Sequence, residues 1–375
     1  SILPYGGNQC PSRSPSNAAR KDVVRCILVA PEWGWVTLDE REVIVLAGEA
    51  RWVAANAPAD RALLCCCFLD ERRRLAVGGT KGTLVVTSVG VAAAAQPPEP
   101  EPIPLGVQGP VTALCAPPGD QSPYLFASVD GAVLLIDVDE GCVLCSLDGR
   151  VDGLQAETLL CPAVPELESD DFFPPEPVVY AGGGDGGGAG RLSCLRIEGS
   201  CAEGKAEGAQ AVWMATHDLP VFALAACPSS DEAASHDASL RSGPTVIAAA
   251  AGSVVVLYEA ASGVALRQLP AGRDGVLYAL AFSPSGACLL AAGSEEVVHA
   301  FNVPAGTRRA VIRLTRSGWA GGLNTATINC LAFVDEAGFV SGGYDAAVTR
   351  WQLEPQRAAT LEDLSVDELR ALIRR

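Results

Sequence analysis

Short apolar runs separated by polar turns recur along the whole chain. In residues 328–352, INCLAFVDEAGFVSGGYDAAVTRWQ, a small-apolar run leads through a polar turn to a second run ending in small residues. A tight turn and a third run follow. Residues 278–303, YALAFSPSGACLLAAGSEEVVHAFNV, repeat the plan, as do 63–89, LLCCCFLDERRRLAVGGTKGTLVVTSV, and 111–138, VTALCAPPGDQSPYLFASVDGAVLLIDV. In 221–259, VFALAACP leads through an insert to TVIAAAAGSVVVLYE, and a degenerate copy spans 156–197. The weakest copy, RCILVAP, GWVTLD and REVIVLAGE, lies between 25 and 49. Runs this short, rich in Val and Leu and bounded by Gly, Pro, Asp and Ser, read as strands rather than helices.

Leu114, Leu160, Leu224, Leu280 and Leu331 mark the register at intervals of 46 to 64 residues. Units of about 40–50 residues with several short strands each signal a propeller. The longer intervals contain or adjoin PELESDDFFPPEP (165–177) and SSDEAASHDASLRSG (229–243), which read as surface insertions. AAAAQPPEPEPIP (92–104) reads as an extended linker. A βαβ fold needs amphipathic helices between strands, and the intervening segments are too short or too rich in Pro and Gly. An immunoglobulin-like sandwich does not explain seven similar units. The predicted fold is therefore all-β, a β-propeller of about seven four-stranded blades over residues 22–357. A flexible segment precedes it (1–21), and a short C-terminal α-helix lies in the tail 358–375.

Composition narrows the function. The net charge of −17 over 375 residues argues against direct binding of nucleic acid. Arg72-Arg73-Arg74 and Arg308-Arg309 are basic blocks too short to read as more than solvated turns. Of 14 cysteines, Cys65-Cys66-Cys67 direct alternate thiols to opposite sheet faces, and the one CxxC, Cys142 to Cys145, lies in a strand-like run without a second pair. They read as core fillers in a reducing compartment, cytoplasmic or nuclear. The basic, acid-free residues 1–21 leave an organelle-import remnant open, while no secretory signal or membrane span is expected.

No catalytic constellation emerges. Ser341-Gly342-Gly343 and AGGGDGGGAG (181–190) both lead into strands, whereas a phosphate cradle opens a helix. His217, His236 and His299 are the only imidazoles. His299 reads as a packed or rim histidine, His236 lies in an insertion, and His217, at the entry to a blade, is expected to hydrogen-bond a blade turn. Glu295-Glu296 and Asp170-Asp171 read as solvated charge. No metal or cofactor is expected.

Asp345-Ala-Ala-Val-Thr-Arg-Trp351 resembles the end of a WD40 repeat, with an Asp in the turn before the third strand and a Trp six residues on. Leu280 to Gly286 resembles the first strand and turn of such a repeat. Asp130-Gly131 with Ile136-Asp137, Glu295 with Phe301-Asn302, and Gly252 with Tyr258-Glu259 fit the same frame. The resemblance covers residues 22–353. Only Trp351 keeps the terminal tryptophan and no Gly-His pair precedes a first strand, so the polar Asp–His–Ser–Trp network is largely missing. Asp130, Asp345 and Trp351 are the repeat's structural positions.

The resemblance implies a non-catalytic scaffold binding protein partners in a larger multiprotein assembly, of the ribonucleoprotein or ubiquitin-ligase type among others. A propeller enzyme with a central-channel active site is the alternative. The turns between second and third strands should gather on one face, with Lys81, Arg273, Trp319 and Tyr344 as partner-binding candidates. In the tail, Ser365 and Glu368 form a capping box, and Leu369, Leu372 and Ile373 share one helical face that packs in cis or docks on a partner. There is no strong signal for homo-oligomers.

Overall fold

The computed structural model describes residues 23–353, apart from 31–33, 48–49, 58–60, 70–73, 90–101, 107, 118–122, 148–153, 163–177, 201–204, 229–245, 273–274, 314–326 and 346. The tail helix and its Leu369, Leu372 and Ile373, the segment 1–21, His236, and the candidates Arg273 and Trp319 lie outside the described residues.

Seven antiparallel sheets follow one another along the chain. The first holds β1 (Val24–Ala30), β2 (Gly34–Asp39), β3 (Glu42–Ala47) and β4 (Ala50–Asn56); the second β5 (Leu63–Leu69), β6 (Arg74–Gly79) and β7 (Leu84–Ser88). The third holds β8 (Val111–Cys115), β9 (Tyr124–Val129), β10 (Ala132–Asp137) and β11 (Cys142–Leu147). The fourth holds β12 (Gln155–Leu160), β13 (Val178–Gly184), β14 (Gly190–Ser200) and β15 (Lys205–His217). The fifth holds β16 (Val221–Ala226), β17 (Val246–Ala251), β18 (Val254–Glu259) and β19 (Ala265–Pro270). The sixth holds β20 (Leu277–Phe282), β21 (Cys288–Gly293), β22 (Val297–Asn302) and β23 (Thr307–Arg313), and the seventh β24 (Ile328–Phe333), β25 (Gly338–Gly343) and β26 (Val348–Gln352).

Each sheet is ordered as the chain runs, and each first strand touches the first strands of both neighbouring sheets. The first strands therefore line a central channel, and β1 against β24 closes the ring. This is a seven-bladed all-β propeller. Among the described residues five blades show all four strands, and the second and seventh show three.

Middle strands are packed on both faces, so they read as unbroken apolar runs rather than alternating ones. Every residue of β21 and β25 is buried. Neighbouring blades press together at one repeated position near the end of the second strand. A Cβ added at Gly78, Gly182 or Gly342 would come within 2.6, 2.7 and 2.6 Å of Val111, Val221 and Val24, the first residues of the next blades' inner strands. The small residues that end these strands are thus a packing requirement. At the ring's closing seam Val24, Ile27, Cys330 and Val340 form one buried cluster, and Asn329 Nδ2 donates to the Val24 carbonyl at 3.3 Å.

Two readings need correction. The end of the tract 92–104 is not merely a linker: Pro102 bridges Val85, the Ile103 amide donates to the Leu84 carbonyl at 2.8 Å, and Ile103 and Leu105 are buried. This is a remnant of the second blade's outer strand, reduced because proline has no amide to extend a ladder. Arg308-Arg309 lies in the outer strand β23, not in a turn, and Arg308 Nη1 donates to the Ala271 carbonyl at 3.3 Å.

Most of the described cysteines behave as space-fillers, with Cys142 exposed. Cys65 packs in the cluster shared with the third blade, and Cys66 in that shared with the first. Burial pushes the Cys65 and Cys115 thiols well up, away from nucleophilic thiolate.

Candidate functional site

Because the strands of a blade alternate in direction, its second-to-third turn and the connection leading to the next blade emerge at the same end of the ring. Backbone hydrogen bonds tie these two sets together. The Leu63, Ala156 and Leu277 amides donate to the Glu40, Gly131 and Gly252 carbonyls of the preceding blades' turns, at 3.1, 2.9 and 2.9 Å. This face is therefore braced by backbone as well as by core packing. The ends of the first strands and the starts of the second lie at the opposite end of the ring.

One irregularity repeats in all seven blades. The pairing of the first strand with the second slips near the first strand's start, at its second residue in six blades and its third in the fourth: Arg25, Leu64, Thr112, Glu157, Phe222, Tyr278 and Asn329. A bulge adds an unpaired residue and re-aims its side chain. The residue before it is buried in every blade, yet none of the seven bulged residues is. Set on the innermost strands at the end where each blade begins, they ring the mouth of the channel.

Neighbouring members touch. The Phe222 and Tyr278 rings are edge-to-face at 5.6 Å, and Tyr278 is 37 % exposed. Arg25 pairs with Glu40, its guanidinium stands 5.9 Å from the centroid of the Tyr344 ring, and its buried Nε has no hydrogen-bond partner among the described residues. Thr112 donates to Ser128 at 3.0 Å, and Ser128 to the Ala156 carbonyl at 2.6 Å, joining the third blade to the fourth. Burial raises the Glu157 carboxyl above the ordinary value of a free glutamate. The mouth is thus aromatic on one side, with charged groups held close beside it.

The sequence candidates fall partly on this face. Tyr344, 41 % exposed, follows β25, and Lys81 occupies a 3-10 turn at Thr80–Gly82 with φ of 59°. Asp130 also takes a positive φ, 51°, ahead of Gly131 in a tight hairpin. Asp345 accepts the Ala347 amide at 3.3 Å, and Trp351 Nε1 donates to Ser341 Oγ at 2.9 Å, so one arm of the repeat's polar network survives. His217 does not bond a turn: its Nε2 lies 3.0 Å from the Tyr258 hydroxyl on the third strand of the next blade. Arg25, Glu157, Phe222 and Tyr278 were not singled out from the sequence. Their signal is a large or charged residue second or third in these four first strands, visible once the strand starts are fixed.

The His217–Tyr258 contact gives a pH prediction. Burial, opposed by Asp218, lowers the His217 pKa from its ordinary 6.5, and burial also lowers that of His299. Both are held neutral in the fold, so the unfolded chain binds more protons once the pH falls through 6.5, and stability drops there. Chemical unfolding followed between about pH 7.5 and 5.5 should show this loss, and His217→Gln should flatten it. A wild-type stability that rises on acidification contradicts the assignment.

No family model matches the sequence, and no curated protein matches it. Among solved structures, the WD40 β-propeller domain of Doa1 superposes with a TM-score of 0.62 at 14 % identity, over 91 % of this chain and 96 % of that one. Likeness at this identity is likeness of fold, and the chain has a WD40-like propeller fold. No helix among the described residues is long and apolar enough to cross a membrane.

Proposed function

We propose that this WD40-like propeller is a non-catalytic scaffold that docks protein partners within a larger multiprotein assembly, chiefly through the face at the mouth of its channel. The observation that carries the reading is the ring of seven bulged side chains, each left accessible beside a buried neighbour. Aromatic rings and arginine are over-represented among residues that dominate interface energies, and Tyr278, Phe222, Tyr344 and Arg25 supply both on rigid elements. Lys81 adds a cation on the same face, and Arg273 and Trp319 remain partner-binding candidates on the sequence alone. The helical face of Leu369, Leu372 and Ile373 is a second contact. The thiols that fill its core suit a reducing compartment.

The test uses the full-length protein as bait in a native extract. Wild-type protein should retain partners in stoichiometric amounts, and Tyr278→Ala with Tyr344→Ala should weaken retention by roughly tenfold or more while leaving unfolding unchanged. Equal retention by wild type and double variant would contradict the docking face. Turnover of a substrate by the purified chain, abolished by His217→Gln, would contradict the scaffold itself.

A further inference from the structure

Where the first blade meets the second, their innermost strands bring two thiols together. Cys26 is third in β1 and Cys66 fourth in β5, and both sit in the apolar cluster that joins these blades. The Cys26 sulfur lies over the Cys66 backbone, 3.7 Å from its carbonyl oxygen, and within hydrogen-bonding reach of the Cys66 thiol. Cys66 is 5 % exposed, whereas Cys26 keeps part of its surface accessible. The contact joins residues 40 apart in the chain, and β2, β3 and β4 all lie between them.

The two thiols are chemically unequal. Hydrogen bonding from the Cys66 thiol lowers the Cys26 pKa more than burial raises it, and the Cys66 amide adds to the lowering. The same thiol–thiol bond, and then burial, push Cys66 well up. At Cys65, Cys67, Cys115 and Cys161 burial raises the pKa. Cys26 is therefore the thiol of this region that ionises first, and the thiolate is the form that oxidants meet. Cys66 supplies what a lone reactive cysteine lacks, a second sulfur close enough to take over the oxidised one.

We propose that Cys26 and Cys66 are an oxidisable pair that hydrogen peroxide converts to a disulfide linking the first blade to the second. The Cys26 thiolate attacks one peroxide oxygen, the O–O bond breaks, hydroxide leaves, and Cys26 becomes a sulfenic acid. The Cys66 sulfur then attacks the Cys26 sulfur. The S–S bond forms, the S–O bond breaks, and the departing hydroxide takes the Cys66 proton. Two thiols and one peroxide give one disulfide and two waters, and a dithiol reductant reverses the change. The new bond closes a loop around β2, β3 and β4 and anchors the strand that carries Arg25 and seals against the seventh blade. Oxidation thus stiffens the blade on which ring closure depends.

Freshly reduced full-length protein is treated at neutral pH with enough hydrogen peroxide to oxidise a parallel sample of glutathione. It is then blocked with N-ethylmaleimide and mapped by mass spectrometry without reduction. A Cys26–Cys66 linked peptide should appear, and should vanish after dithiothreitol. The apparent Tm should rise by about 5 °C on oxidation, as cross-linking a loop of this size implies, and fall back on reduction. Cys66→Ser should leave Cys26 as a sulfenic acid that dimedone traps, and Cys26→Ser should leave Cys66 unreacted. The wild-type map needs neither variant to fold. Cys26 still blocked as a free thiol, a disulfide from Cys26 to another cysteine, or over-oxidised Cys26 beside free Cys66 would each overturn the pair. A linked peptide with an unchanged Tm would overturn the stiffening.

Discussion

Replacing Trp351 by alanine should cost the protein about 4 kcal/mol of stability, the scale for deleting a large buried aromatic side chain. The indole is 6 % exposed, packs against the sixth blade in a cluster with Leu290, Ala292 and Val298, and stacks on Phe339 at 6.5 Å and 21°. It also donates the hydrogen bond to Ser341. Trp351→Phe keeps most of the packing and removes that bond, so it should cost about 1 kcal/mol for the bond plus a smaller packing loss. Denaturant unfolding of the two variants separates the contributions. Equal costs would mean that the blade interface does not depend on the indole's bulk.

Gly342→Val should be nearly as damaging, at about 3 kcal/mol, because it overpacks the one seam where the two ends of the ring meet. Its added Cβ would stand 2.6 Å from Val24 Cγ1, 2.9 Å from Cys330 Sγ and 3.1 Å from Ile27 Cδ1. The first two are near-fixed groups on inner strands, so the blades must part to make room. Urea unfolding should show a lower midpoint, and limited proteolysis should cut faster within residues 23–57. A Gly342→Val protein as stable as wild type would mean that β1 does not seal against the seventh blade.

The sequence made the fold legible through its middle strands. Buried on both faces, VIAAAA and VVVLYE had to be continuous apolar runs, and the small residues ending GFVSGG marked where the next blade presses in. The first blade showed only three of its strands, because ARWVAAN of β4 mixes a charged residue and small ones and lacks a continuous apolar run. The remnant strand after Pro102 was hidden in a proline-rich tract.

The candidate site was legible only in part. Tyr344 and Lys81 lie on turns that sequence can place. The bulged ring depends on a register slip of one residue per blade, which no local pattern announces. His217 on β15 meets Tyr258 on β18 of the next blade, and Arg25 on β1 stands beside Tyr344 of the seventh. Such pairings follow from how the sheets close, not from spacing along the chain.

Chemical cross-linking of the full-length protein with whatever co-purifies with it, read by mass spectrometry, tests the central claim most directly. Contacts should concentrate on the channel-mouth face, at Lys81 and at groups beside Arg25, Tyr278 and Tyr344, and disappear in Tyr278→Ala with Tyr344→Ala. Cross-links confined to the opposite face would contradict it.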